Sequence, residues 1–310
     1  MFTAEEDLTL AHALADVADA IATRYFRQRR LEAQTKADGS PVTEADRLVE
    51  AALREQLLRH RPGDSFVGEE SGAHGCGGRR WFVDPIDGTA GFVAGRPDWR
   101  TLIAVEDAGI IAMGLVSSPG LHRRWWAMRA GGAWTRRYVV KLNSPDTPHA
   151  EGVSHAPDEP TPLQVTGTTR LERAKIAVWP VGANLPCSLL VPTARLAALG
   201  AQSRQQKHTE RQRSPDSSTA TGTRHGALLV ASGEIDGFLL AGGRPWDLAA
   251  LVPIVEEAGG QFSDMSGGRS LDAPAALFSN GMLHVQILRC LQEAPRVDSG
   301  LADSKGGNGG

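Results

Sequence analysis

Apolar residues recur at helical period near the start of the chain. Leu10, Leu14, Val17, Ile21 and Tyr25 are spaced by four, three, four and four residues. They line one face, and the spacing predicts an amphipathic helix over 4–27. A second helix is expected from Thr43, with Val49, Ala52, Leu53 and Leu57 on its buried face. Thr43-Glu44-Ala45-Asp46 carries a capping-box signal at its start, and Arg61-Pro62-Gly63-Asp64 ends it. From 65 to 140 the pattern changes to short strands: Phe66-Val67, Trp81–Val83, Thr101–Glu106, Ile110–Ser117 and Arg124–Met128, with Asp107-Ala108-Gly109 as a tight link. Helices followed by a meander predict an α+β chain of mixed layers, not an alternating βαβ array.

The stretch 143–225 is atypical. Residues 145–162 hold five prolines, and 202–224 are polar with almost no apolar anchor, the composition of a disordered loop. Between them, Lys175–Trp179 reads as one strand. Order returns with a helix at Ala227–Ser232, a strand at Ile235–Leu240 and a helix at Trp246–Ala258 ending at Gly259-Gly260. Strands near Gly260–Phe262 and Ala275–Ser279 and a helix from about Leu283 to Leu291 complete the pattern. The glycine-rich end, 296–310, is expected to be a disordered tail. No internal repeat is present.

Composition excludes several partners. The 310 residues are 41% hydrophobic and 22% charged, with a net charge of −3, which gives no footing for nucleic acid. Cys76, Cys187 and Cys290 lack metal-ligand spacing and fit reduced thiols in a cytoplasmic protein. Glu5, Glu6 and Asp7 stand where a signal peptide would be basic, and no apolar run has the roughly 18 residues that cross a bilayer. A soluble, intracellular protein with no membrane contact is expected.

The most informative segment is WFVDPIDGTAGF, 81–92. Trp81, Phe82 and Val83 read as a buried strand end, and Pro85, which has no N–H to give a ladder, is expected to stop the strand. Asp84 and Asp87 then converge as hard oxygen ligands, and Asp-Gly-Thr opens a helix whose amides can hold an anion. These are the parts of a Mg²⁺-dependent phosphate enzyme; the alternative is a surface turn. Further carboxylates stand at element ends: Glu69 and Glu70 after a strand, Asp247 at a helix start, and Asp46 in the first turn of the second helix. Singly, each has a structural reading as a solvated pair, an N-cap or a capping-box member. Together, around the Asp-Pro-Ile-Asp-Gly-Thr core, they point to a metal site.

Three segments in order carry a resemblance: Gly68-Glu69-Glu70-Ser71, Asp84-Pro85-Ile86-Asp87-Gly88-Thr89, and Pro245-Trp246-Asp247 with Ala249-Ala250 and Glu257-Ala258-Gly259-Gly260. The chain resembles the inositol monophosphatase superfamily of Mg²⁺-dependent, lithium-sensitive phosphatases over roughly 1–135 and 226–292. The resemblance implies a layered αβαβα sandwich of the inositol monophosphatase and fructose-1,6-bisphosphatase type. It implies one catalytic domain over 1–295 with lobes at about 1–140 and 141–295, a homodimer, and two or three Mg²⁺ ions. It assigns Glu69, Asp84 and the carbonyl of Ile86 to a first metal, and Asp84, Asp87 and Asp247 to a second. The amides of Gly88 and Thr89 would bind phosphate, Thr89 paired with Asp46 would orient the attacking water along with Glu69, and Thr223 would fall near the substrate. All-oxygen ligation suits Mg²⁺, and paired metals can activate water and stabilise the leaving alkoxide.

Lys36–Asp46, Pro97–Ala104 and Ser118–Ala127 resemble the histidinol-phosphate phosphatase branch. Members that favour inositol phosphates carry an acidic residue seven positions before the metal-binding Asp. Here that position is Leu240, which accepts no hydrogen bond from a hydroxyl. The expected activity is hydrolysis of L-histidinol phosphate, with inositol 1-phosphate and then nucleotide or sugar phosphates as alternatives. A different class is a catalytically weak relative that binds metal and phosphate, with 143–225 blocking turnover. Trp125-Trp126, beside Arg123 and Arg124, reads as strand packing rather than a ligand stack.

Overall fold

Helix α1 (Ala4–Gln28) carries the predicted stripe: Leu10 and Leu14 are buried, and Val17, Ile21 and Tyr25 pack against the same cluster. Thr3 caps it, its hydroxyl accepting from the Glu6 amide at 3.2 Å. The hairpin β1 (Ala33–Thr35) and β2 (Pro41–Thr43) leads into α2 (Glu44–His60), whose capping box is formed by Thr43 and Asp46. This computed structural model describes residues 3–28, 32–37, 39–141, 152–155, 159–179 and 225–292. The expectations for the 202–224 loop, for Thr223 and for the 296–310 tail lie outside the described residues.

Both helices cover one face of a large sheet. Its strands are β3 (Ser65–Gly68), β4 (Gly72–His74), β5 (Arg80–Asp87), β6 (Arg100–Asp107), β7 (Ile110–Ser118), β8 (Arg123–Met128), β9 (Ala133–Lys141) and β10 (Gly152–His155), in the order β10-β9-β8-β7-β6-β5-β3-β4. A two-residue strand, β11 (Thr161–Pro162), adds to β9. The β6–β7 turn is the predicted Asp107-Ala108-Gly109 link, with Ala108 and Gly109 at φ 50° and 80°. Strand β9 escaped sequence reading because Arg136-Arg137 interrupts its alternation: Ala133 and Thr135 are buried before them, Tyr138 and Val140 after.

One expectation is corrected. Strand β5 does not stop at Pro85 but continues to Asp87, with its register shifting between Asp84 and Asp87. Asp84 pairs with Leu102 and Asp87 with Arg100, so Pro85 sits in an irregularity where no ladder bond is required of it. The Thr101 hydroxyl donates to the Pro85 carbonyl at 2.8 Å and steadies the bulge.

The opposite face of the large sheet packs on α4 (Gly226–Ala231), α5 (Pro245–Leu248) and α6 (Leu251–Glu257). The helix predicted over Trp246–Ala258 is split at Ala249-Ala250, because Pro253 lacks the N–H that would reach back to Ala249. Beneath this layer lies a four-stranded sheet in the order β12 (Ile176–Trp179), β13 (Gly237–Ala241), β15 (Ala275–Ser279), β14 (Gln261–Asp264). Along β13, Phe238 and Leu240 face the middle helices, while Leu239 and Ala241 face α7 (His284–Gln292) on the outside. The layers run αβαβα, as the resemblance implies. Trp125 and Trp126 enter the clusters on opposite faces of the large sheet, so both are packing residues.

The large sheet meets the middle helices most tightly at Gly114 on β7. A Cβ built there would lie 2.2 Å from the Ala250 carbonyl oxygen and 2.8 Å from Pro253 Cγ. Both obstacles belong to rigid elements. Gly114→Ala is therefore expected to destabilise the protein by about 2–3 kcal/mol, read as a lower urea midpoint with an unchanged slope.

Candidate active site

The bulge in β5 determines where the carboxylates stand. Asp84 is buried at its start and Asp87 half-buried at its end, and Gly88 follows at φ 87°, a left-handed conformation that strains any other residue. Gly88 caps the short helix α3 (Thr89–Val93), whose first amides have no acceptor within the helix. Thr89 Oγ1 lies 3.0 Å from the Ile86 carbonyl and 3.3 Å from Asp46 Oδ1. Its single proton serves one of them at a time. Asp46 is fixed from the other side, its Oδ2 accepting from the Thr43 amide at 2.8 Å and the Thr43 hydroxyl at 2.5 Å. The capping-box and site readings of Asp46 are thus compatible: one oxygen caps the helix and the other faces Thr89.

Glu69 and Glu70 follow β3, and the chain turns there because of a residue that sequence reading passed over. Glu50 of α2 is buried, and its two carboxylate oxygens accept from the amides of Glu70 and Ser71 at 2.7 Å each. Gly68 makes room for it: a Cβ there would stand 2.5 Å from Glu50 Cδ. A sequence signal existed, since Glu50 stands between Asp46 and Leu53 on the buried stripe of α2. Lys36 also lacked a role in the sequence reading. Its Nζ reaches Glu69 and Glu70, at 2.7 Å each. Burial alone would lower the Lys36 pKa, but the hydrogen bonds and the charges of the two glutamates together outweigh burial and raise it.

Asp247 enters from α5. Its Oδ2 accepts from the Arg244 amide at 2.7 Å, so it stands at the third position of the helix and not at the N-cap expected, and this bond occupies one oxygen. Burial first, then the charges of Asp87 and Glu69, push its pKa up to about 7. Asp84 is driven well above the usual carboxylate range, by burial first and then by the charges of Glu69, Asp87 and Asp247. Four carboxylates from three regions of the chain therefore share one electrostatic field. They are not clasped: among the described residues no three acidic, histidine or cysteine groups lie in a metal-holding arrangement. Among the described residues Asp84 Oδ1, which is buried, has no hydrogen-bond partner. An oxygen-only set with excess negative charge and an orphaned carboxylate oxygen has the chemistry that a hard divalent cation satisfies.

Two more residues border the site unannounced by sequence. Arg100, on β6, places Nε 2.9 Å from Asp87 Oδ2, close enough for an ion pair but not aligned as a hydrogen bond. His225, just before α4, accepts from the Ala227 amide through Nδ1 at 3.2 Å and meets the Phe238 ring edge-on. Burial, then the Arg100 charge, lowers the His225 pKa to about 4, so it is neutral at ordinary pH.

The model of the inositol monophosphatase family matches residues 3–296. A histidinol-phosphatase from Streptomyces coelicolor is 36% identical, covering 93% of this chain and 97% of its own. One from Mycobacterium tuberculosis is 35% identical, over 91% of this chain and 96% of its own. A solved structure of an inositol monophosphatase from Zymomonas mobilis superposes with a TM-score of 0.69 at 26% identity, over 94% of this chain and all of the other.

The raised carboxylates give a stability test. In the metal-stripped fold, Asp84 and Asp247 bind protons that the unfolded chain releases near the ordinary value of 3.8. Their contribution is complete at acid pH and lost as pH rises toward the folded-state value of about 7. Metal-stripped protein should therefore lose thermal stability between about pH 4 and about pH 7, and saturating Mg²⁺ should restore most of the loss. Asp247→Asn should flatten the metal-free profile. A metal-free melting temperature that rises over this interval would contradict the shared field.

Proposed function

The chain belongs to the inositol monophosphatase family, and from that premise we propose that it releases phosphate from L-histidinol phosphate with Mg²⁺ held at the carboxylate cluster. As a member it is a metal-dependent phosphoric monoester hydrolase. The observation that carries the metal assignment is the shared field of Glu69, Asp84, Asp87 and Asp247, with one oxygen of Asp84 unpartnered. Glu69, Asp84 and the Ile86 carbonyl would hold one ion, and Asp84, Asp87 and Asp247 a second; the family resemblance allows a third. When bound, the cations neutralise phosphate charge and make a water acidic enough to attack near neutral pH.

The rest falls to the chain's own groups. Gly88 and Thr89 present first-turn amides that can hold phosphate oxygens without a side chain in the way. The Thr89 hydroxyl, tethered between Asp46 and Ile86, would orient a water. Glu69 stands as the partner in drawing off its proton. Glu50 keeps Glu69 in place by holding the next two amides. Neutral His225, packed edge-on against Phe238, stands in the field of Arg100 and Asp87.

Support for histidinol phosphate comes from the names and identities of the two bacterial relatives. It is joined by Leu240, a buried apolar residue at the position where members that favour inositol phosphates carry an acidic one. The same reading makes the chain one catalytic domain of two lobes, 1–140 and 141–295, acting as a cytoplasmic homodimer. Thr223 is retained as a substrate contact from the resemblance alone.

Phosphate release from a panel of monoesters, with and without Mg²⁺, is the test. Histidinol phosphate should be turned over fastest, and inositol 1-phosphate turned over faster would overturn the substrate. Asp87→Asn should lower kcat/KM by at least about a hundredfold with little loss of fold, because it removes a ligand charge and relieves repulsion in the metal-free state. Full activity in that variant would contradict the assignment of Asp87.

A further inference from the structure

The register that follows the β5 bulge sets Arg100 directly across the ladder from Asp87. Its guanidinium is held there from two sides. Nη2 donates to the Asp98 carbonyl at 2.6 Å, and Nε stands 2.9 Å from Asp87 Oδ2. The side chain is only 12% exposed, so solvent screens the contact little. Yet among the described residues neither Nε nor Asp87 Oδ2 makes a hydrogen bond. The pair is held by charge alone, so another cation can replace the guanidinium at Asp87 without breaking a directional bond. Nη2 also lies 3.9 Å from where a Cβ on Gly88 would stand, which puts the guanidinium beside the Gly88 loop as well as the carboxylate.

Resting on the metal assignment above, we propose that Arg100 is a resident counter-cation of Asp87, in competition with the second divalent ion. Cation binding is then split into two steps. The group around Glu69 and Asp84 fills first. The group around Asp87 and Asp247 fills only at a concentration that overcomes the guanidinium. Lys36 plays the milder counterpart at Glu69: it is shared with Glu70, so it can keep one carboxylate when it yields the other. Among the described residues Arg100 has no second carboxylate within ion-pair distance, and its other partner is the Asp98 backbone carbonyl. An arginine stays charged across the working pH range, so the competition does not fade at alkaline pH.

The test reads metal binding rather than turnover. Metal-stripped wild type, Arg100→Gln and Arg100→Lys are titrated with Mg²⁺ by calorimetry and with Mn²⁺ by electron paramagnetic resonance. Wild type should show a tighter and a weaker step. In Arg100→Gln the weaker step should tighten at least about tenfold, while the tighter step changes less than about twofold. Arg100→Lys, which keeps the charge, should stay near wild type. Adding Asp247→Asn should abolish the weaker step, which identifies it.

A second measurement needs no substitution. In arginine-labelled wild type, the Arg100 Nε resonance should move with the second equivalent of Mg²⁺ and not with the first. An unchanged weaker step in Arg100→Gln, or an Arg100 resonance that moves with the first equivalent or with neither, would overturn the role of Arg100. Absence of any Mn²⁺ binding by wild type would instead overturn the metal reading on which it rests.

Discussion

Mutual repulsion among Glu69, Asp84, Asp87 and Asp247 is the constraint around which this structure is arranged. Buried like charges cannot all ionise unaided, and the pKa values of Asp84 and Asp247 are raised accordingly. Two outlets are built in. Lys36 and Arg100 neutralise the edges of the cluster, while the orphaned oxygen of Asp84 leaves its centre for a cation.

The fold holds these charges on three elements that cannot drift apart. The β5 bulge carries Asp84 and Asp87, and Thr101 pins it through the Pro85 carbonyl. The turn after β3 carries Glu69 and is tied to α2 by Glu50. Helix α5 carries Asp247 and belongs to the layer that Gly114 lets press against β7. Elsewhere Arg124, almost wholly buried, ties α1 to β8 through Asp19 at 2.6 Å and Asp16 at 2.8 Å. Stiffness around the cluster is what lets four repelling groups persist in one place.

Much of this was legible in the chain. The α1 stripe, the capping box of α2 and the Asp-Pro-Ile-Asp-Gly-Thr motif each combine residue types that few other arrangements explain. What stayed hidden had physical causes. Reading Pro85 as a strand end concealed the bulge, and with it the pairing that sets Arg100 opposite Asp87. Glu50 resembled one more helix charge, although its place on a buried stripe marked it. His225 gave no local signal, because its neighbours in the site come from distant strands. Strand β9 was masked by its paired arginines, and the helix over Trp246–Ala258 was read as unbroken although Pro253 sits within it.

The account stands or falls on where cations settle. Crystals grown metal-free and soaked in Mn²⁺ would be measured at the manganese absorption edge. The account predicts anomalous peaks ligated by Asp84, one shared with Glu69 and one with Asp87 and Asp247, the second appearing at the higher concentration as Arg100 leaves Asp87. Manganese bound elsewhere, or no peak while Asp84 keeps its unpartnered oxygen, would contradict it.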